Sequence, residues 1–91
     1  MAIVLSGYII VPEADFEAVV AALPEHVANT HAEPGCIDFS VTADEYVPYR
    51  FNVFEKFADR PAFEQHQARV KQSAWGLIAR DVVRHYSVRE S

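Results

Sequence analysis

Segments with the apolar pattern of a strand alternate along this chain with segments that have the apolar pattern of a helix. The order of these segments predicts the order of the strands and helices. Residues 3–11 are dense in β-branched side chains at both odd and even positions, which is typical of a strand covered on both faces. Residues 13–32 carry apolar residues three and four positions apart, which predicts an amphipathic helix. Pro24 predicts a kink or local break in it, and Pro34-Gly35 predicts its end, since glycine suits a left-handed turn after a helix.

The second half of the chain repeats this change of period. Residues 36–42 alternate between apolar and polar side chains, which predicts a half-buried strand, and residues 49–57 predict the next strand after a polar turn. Asp59 is suited to cap the N-terminus of a second helix, which we expect to break near Trp75. Residues 82–88 then predict a fourth strand.

The order β-α-β-β-α-β predicts one domain over residues 1–91 with a ferredoxin-like α+β sandwich fold, in which helices cover one face of a four-stranded antiparallel sheet. The first strand is apolar on both of its faces, so the face without helices needs a second cover. The chain has only 91 residues, yet 51% of them are hydrophobic and 12% are aromatic. Both observations predict a homodimer in which the sheets of two copies meet.

The charge pattern excludes several classes of function. The net charge is −5 and the basic residues are scattered, whereas a nucleic-acid-binding protein needs a basic footprint. The apolar N-terminus is too short to span a membrane and has no basic segment before it, so a cytoplasmic location fits best. The single Cys36 excludes an internal disulfide and a cysteine-based zinc site, and the histidines lack metal-binding spacings.

Two titratable residues in apolar segments are the candidates for chemistry. His66 shares a face of the second helix with Phe63 and Val70, and its ordinary pKa near 6.5 suits a general base. Glu55 lies among aromatic residues on the preceding strand, where an unpaired carboxylate would be costly, so we expect it to orient His66 as the third group of a triad does. The alternatives are a core histidine with one hydrogen bond, and a structural ion pair or a solvated strand end.

The remaining candidates are contacts for a polar or aromatic ligand: Tyr49, Phe51, Asn52, Phe54 and Trp75. Trp75 could stack on a flat ring, and Tyr49 and Asn52 could form hydrogen bonds with a substrate. Asn52 has the opposite strand parity to Glu55, so these residues cannot all line one wall. Simple packing and rim polarity are the alternatives for this group. His26 and His31 are interpreted as surface residues of the first helix.

Three motifs and their order along a chain of this length resemble the antibiotic biosynthesis monooxygenase (ABM) family of dimeric α+β barrels. They are EPGC at residues 33–36, RFNVFEKFAD at residues 50–59 and AFEQHQ at residues 62–67. The resemblance extends from about Ile3 to Val88. It implies a homodimer with a pocket between the sheet and the helices of each subunit.

Members of this family include enzymes that oxidise phenols, anthrones or quinols with O₂ and without metal, flavin or haem. The resemblance therefore implies a cofactor-independent monooxygenase that acts on a small aromatic substrate. His66, aligned with the histidine of the AFEQH-type segment, would remove a phenolic proton, and the resulting anion would reduce O₂. A non-catalytic small-ligand-binding or stress-associated dimer and an isomerase with the same His–Glu pair remain alternatives, because fold does not fix chemistry.

Overall fold

The computed structural model describes all 91 residues, and its elements follow the predicted order of strands and helices. They are β1 (Ile3–Ile10), α1 (Phe16–His31), β2 (Cys36–Ala43), β3 (Arg50–Phe57), α2 (Arg60–Gln72), α3 (Ala74–Ile78) and β4 (Val83–Glu90). A short 3-10 turn, Glu13–Asp15, precedes α1. The strands form one antiparallel sheet in the spatial order β2-β3-β1-β4.

Alternation along the strands separates the two faces of the sheet. Every second residue of β3, from Phe51 to Phe57, is buried against the helices, and its neighbours are half-buried on the opposite face. Ile3, Leu5 and Ile9 of β1 join the same core as side chains from all three helices. The helices therefore cover one face, which confirms the predicted ferredoxin-like α+β architecture.

The opposite face, here called the outer face, is a mixture of aromatic, aliphatic and polar side chains. Tyr8 of β1 stacks on His85 of β4 with 4.6 Å between ring centroids, and the guanidinium of Arg50 lies 3.8 Å from the Tyr8 ring centroid. Val83 is about half exposed at the edge of this face, and Phe54 is partly exposed near its centre. No helix of the chain covers these side chains.

The predicted local break at Pro24 is wrong, and the predicted break near Trp75 lies two residues earlier. The α1 helix continues through Pro24, so the proline does not interrupt it. The second helix breaks at Ser73, before Trp75, because Ser73 adopts an extended backbone with φ −88° and ψ 165°. The Ser73 hydroxyl accepts from the Gly76 N–H at 3.2 Å, and this cap starts the short helix α3, which contains Trp75.

The predicted start of α2 is confirmed. The carboxylate of Asp59 accepts a hydrogen bond from the backbone N–H of Ala62 at 2.9 Å, and a proline follows in the first turn. This cap fixes the start of α2 immediately after β3. The side chains of β3 and α2 therefore face each other across a short connection.

Gly35 ends the first half of the chain for a reason that differs from the predicted one. Its φ is not positive, so it forms no left-handed turn after α1. A Cβ atom at Gly35 would lie 2.2 Å from the Cβ of Ala62, which is far inside van der Waals contact. Glycine is required because the loop after α1 passes directly against the first turn of α2, and this approach brings Glu33 close to α2.

Substitution of Gly35 by alanine should therefore destabilise the protein. We expect Gly35→Ala to lower the free energy of unfolding by about 1–3 kcal/mol, the usual cost of overpacking, as measured by urea denaturation. In an Ala62→Gly background the same substitution should cost much less, because the clashing Cβ is gone. Equal costs in both backgrounds would show that the contact does not constrain the loop.

Candidate active site

A cavity of about 180 Å³ lies between the sheet and the helices. Its walls are mostly apolar, with Leu5, Phe39 and Val53 from the sheet and Val70 and Trp75 from the helices. Its polar side chains are His26, Glu55, His66, Gln67, Arg84 and Tyr86. An apolar cavity with a few convergent polar groups is the usual form of a small-molecule site.

His66 reaches this cavity from α2 and has a carboxylate on each side of its ring. Its side chain is only 3% exposed. The Nδ1 atom lies 3.0 and 3.2 Å from the two carboxylate oxygens of Glu33, and Nε2 lies 3.7 Å from Oε1 of Glu55. Because a hydrogen bond to Glu33 requires a proton on Nδ1, the Nε2 of the neutral ring carries a lone pair on the side of Glu55.

Glu33 is itself held by charge. The guanidinium of Arg69, one turn further along α2, donates to the Glu33 carboxylate and also to the Thr30 hydroxyl at 3.1 Å. The Thr30 hydroxyl in turn donates to the carbonyl oxygen of His26 at 2.9 Å. This network joins the end of α1 to α2 and fixes the imidazole of His66 from its Nδ1 side.

Glu55 faces the same imidazole without a hydrogen bond of its own. It is 6% exposed, and its Oε1 is buried with no hydrogen-bond partner, since 3.7 Å to Nε2 is too long. Burial raises the pKa of Glu55 to about 7, and the nearby charge of Glu33 adds to this effect. The side chain is therefore poised to change its protonation near neutral pH.

Burial acts in the opposite direction on His66. It lowers the pKa of the imidazole, and the charge and hydrogen bond of Glu33 only partly oppose this shift. Neutral His66 thus lies beside a carboxyl group that gains and loses its proton near pH 7. Burial moves the two pKa values in opposite directions, so that the carboxyl group holds its proton more readily than the imidazole does, and perturbed titratable groups in a cavity are typical of functional sites.

The structure places the predicted ligand contacts in different parts of the molecule. Trp75 lines the cavity, whereas Phe51 packs in the core and stacks on Phe16 with 6.0 Å between centroids. Tyr49 contacts the edge of Phe16 beyond the cavity. Phe54 and Asn52 lie on the outer face, because they have the opposite parity to Glu55 on β3.

The prediction that His26 is a surface residue is wrong. Its side chain is 6% exposed, lines the cavity and stacks on Trp75 with a centroid distance of 4.4 Å and an interplanar angle of 4°. The α1 helix packs against α3 as well as against the sheet, so a second side of it is buried. His31 is exposed, as predicted, and its Nε2 lies 2.8 Å from the carbonyl oxygen of Phe39.

Sequence reasoning missed four residues of this region: Glu33, Arg69, Arg84 and Tyr86. Glu33 was interpreted only as part of a helix stop, although the spacing of His66 and Arg69 places both on one side of α2, where one acidic partner could reach them. Arg84 and Tyr86 lie on β4 opposite Ile9 and Gly7, and only the sheet register brings them to the cavity.

Two further properties describe the chain. No three or more His, Cys, Asp or Glu side chains come together as a group that could hold a metal ion. None of the helices is long and apolar enough to cross a membrane.

Comparison with known proteins identifies the family of the chain. The sequence profile named ABM, antibiotic biosynthesis monooxygenase, matches residues 2–76, which is most of the chain. This chain belongs to the ABM family. The predicted family is therefore confirmed, and membership supports a general monooxygenase-like role. No protein with a curated description matches the chain.

Several solved structures share the ABM fold. The protein SO0527 from Shewanella oneidensis is 27% identical, with 97% of this chain and 86% of that chain aligned at a TM-score of 0.73. Two structures whose names assign them provisionally to the antibiotic biosynthesis monooxygenases are similar as well. The Nitrosomonas europaea protein is 20% identical over 100% of this chain and 98% of its own (TM-score 0.77), and the Deinococcus radiodurans protein is 21% identical over 100% and 92% (TM-score 0.79).

The raised pKa of Glu55 predicts how stability depends on pH. The folded state holds its proton up to about pH 7, whereas the ordinary pKa is 4.5, so the stability present below pH 4.5 is lost as pH rises through 7. Glu55→Gln removes this titration. At a pH well above 7 we expect the variant to be more stable than the unmodified protein by up to about 3 kcal/mol in urea denaturation, with the difference shrinking toward zero in acid.

The exposed carboxylate of Glu64 on α2 provides the matched control. Glu64→Gln removes one exposed negative charge from the same helix that carries His66, so it controls for the loss of a carboxylate as such. If Glu55→Gln and the unmodified protein lose stability in parallel as pH rises, Glu55 does not titrate inside the fold with a raised pKa.

Proposed function

We propose that this chain is a cofactor-independent monooxygenase that oxidises a small phenolic, quinol or anthrone-type compound with O₂. The observation that carries the proposal is the buried His66–Glu55 pair in an apolar cavity of an ABM-family chain. Such a pair handles protons and supplies no electrons of its own. In the proposed reaction the electrons come from the substrate, and electron-rich phenols supply them to O₂ once they are deprotonated.

In the first step of the proposed reaction, the Nε2 of His66 takes a proton from a substrate hydroxyl. Glu33 keeps the other proton on Nδ1 and, with ionised Glu55, stabilises the imidazolium that forms. Glu55 is ionised in a substantial fraction of molecules at neutral pH because its pKa is about 7. The charge of Glu33 thus partly opposes the effect of burial, which lowers the pKa of His66, and ionised Glu55 places a second negative charge beside the ring.

The anion then transfers one electron to O₂, which gives a substrate radical and superoxide. These combine in a carbon–oxygen bond, the imidazolium of His66 returns its proton to the peroxide anion, and the peroxide loses water as its O–O bond breaks. For a quinol, one ring C–H is replaced and two hydrogens leave as water, so quinol plus O₂ gives hydroxyquinone plus H₂O. O₂ is fully reduced by the four electrons that the substrate loses, and no external reductant is needed.

Cavity size favours the smaller members of this substrate class. An engineered apolar cavity of about 150 Å³ holds one benzene molecule, and the cavity here is about 180 Å³. One substituted ring fits this volume, whereas three fused rings require the cavity to enlarge. A single-ring phenol or quinol is therefore the preferred substrate.

An isomerase is the second candidate function. Neutral His66 and a carboxyl group with a pKa near 7 lie within 4 Å, so one could remove a proton while the other returns it elsewhere on the substrate. This chemistry needs no O₂. Turnover that continues under strict anaerobic conditions would favour the isomerase, and tight binding without any turnover would favour a ligand-binding protein.

Loss of the base should abolish oxygen uptake. With single-ring quinols and catechols as substrates, we expect His66→Ala to lower the enzyme-dependent rate at least about 100-fold, the usual contribution of a general base, as measured with an oxygen electrode. His31→Gln, at an exposed histidine, should retain the rate. Unchanged turnover in His66→Ala would exclude the base assignment, and metal-stripped protein should remain active.

We further propose that the outer face is the interface of a homodimer. Members of the family are typically dimeric, and this face presents Tyr8, Phe54 and Val83 with no helix over them. Burying these side chains against a second sheet would relieve apolar exposure that a chain of 91 residues cannot cover alone.

Sedimentation tests this interface. We expect the unmodified protein to sediment as a dimer at micromolar concentration and Phe54→Glu to shift it to a monomer, because a charge would be buried between the sheets. Glu64→Gln on the exposed side of α2 should remain dimeric. A stable monomer of the unmodified protein would contradict the proposed barrel.

A further inference from the structure

His26 is a buried polar side chain that has no role in the proposed reaction. Its side chain is 6% exposed, and its Nδ1 is buried with no hydrogen-bond partner. An unsatisfied buried nitrogen costs free energy, so each such group needs an explanation. The His26 ring lines the same cavity as His66, and the two ring centroids are 6.3 Å apart.

The ring of His26 is held in one orientation. It lies parallel to Trp75 at 4.4 Å, and it meets Phe39 edge-on at 5.4 Å with an interplanar angle of 84°. Aromatic contacts on two sides restrict rotation of the imidazole. The plane of the His26 ring is therefore fixed before any ligand enters, which lowers the entropic cost of a hydrogen bond to it.

His26 also stays neutral. Burial lowers the pKa of His26 to about 3, and the positive charges of Arg69, Arg84 and, whenever it is protonated, His66 add to this effect. A neutral imidazole has one donor and one acceptor nitrogen, so it can exchange a hydrogen bond with a hydroxyl or a carbonyl group. It cannot serve as a second base of comparable strength, because it holds a proton too weakly at neutral pH.

We propose that His26 is a positioning residue whose Nδ1 forms a hydrogen bond with a second oxygen substituent of the ligand. The first oxygen lies at the Nε2 of His66, so the ligand is a single ring that carries two oxygen groups and spans the two histidines. The His66 half of this arrangement rests on the proposed function. The His26 half rests on its own unpaired nitrogen, its fixed ring and the shared cavity.

This assignment also explains the position of Trp75. The tryptophan forms one wall of the cavity and at the same time supports the back of the His26 ring. A ring ligand that bridges the two histidines would occupy the cavity that Trp75 lines. Since Trp75 is the only tryptophan of the chain, its fluorescence reports on binding beside His26 without a label.

The test is anaerobic titration of the protein with phenol, catechol, resorcinol and hydroquinone, followed by Trp75 fluorescence. We expect at least one of the three diphenols to bind about 10-fold more tightly than phenol, the gain expected from one added hydrogen bond to an unpaired buried group. His26→Phe keeps a flat ring against Trp75 but lacks the nitrogen. It should bind phenol as before and lose the preference for the diphenol.

His26→Gln separates hydrogen bonding from packing. Its amide can replace the imidazole nitrogen, so part of the preference should return, which a purely structural role of His26 would not produce. If circular dichroism shows that His26→Phe does not fold, the His26→Gln variant alone provides the test. The proposal is overturned if both variants still prefer the diphenol over phenol. It is also overturned if the unmodified protein shows no such preference.

Binding without O₂ keeps this test apart from the proposed function. If the diphenol preference depends on His26 but no oxygen uptake follows, the monooxygenase proposal fails and the assignment of His26 stands. If oxygen uptake occurs but His26→Phe discriminates as the unmodified protein does, the assignment of His26 fails alone. Failure of all four phenols to bind overturns the His26 assignment as well.

Discussion

The hydrogen bond between Glu33 and Nδ1 of His66 is the interaction on which the site depends. It joins the loop after α1 to the buried face of α2, and Arg69 neutralises the carboxylate from the same helix. Gly35 makes this contact possible, because only a residue without Cβ lets the loop lie against the first turn of α2. The same bond sets which nitrogen of His66 carries the proton and leaves Nε2 free toward the cavity.

Burial of titratable groups defines the chemistry of the cavity and reduces the stability of the fold. Glu55 and His26 each have an atom in the interior without a hydrogen-bond partner, although a core made only of apolar residues would avoid that cost. Desolvation shifts the pKa of Glu55 upward and the pKa of His66 downward. Unsatisfied polar groups of this kind are expected where a protein must bind or transform a ligand.

The success of the sequence predictions depended on how local each signal was. Strand alternation and the Asp59 cap are set by neighbouring residues, and both were predicted from the sequence. The burial of His26 was not predicted, because its environment is set by α3, a five-residue helix with no periodicity of its own. Asn52 and Phe54 have the strand parity opposite to Glu55, and the pleat of β3 places both on the outer face, away from the cavity.

Local sequence patterns are enough to predict the order of elements, the helix-covered face of the sheet and the position of His66 on a buried helical face. These features follow from periodicity, because the position of a residue along a helix or strand decides on which face of that element its side chain lies. Only the tertiary structure decided which groups meet His66. Glu33 lies 33 residues away and Tyr86 reaches the cavity through the register of β4, so their placement follows from packing between distant segments.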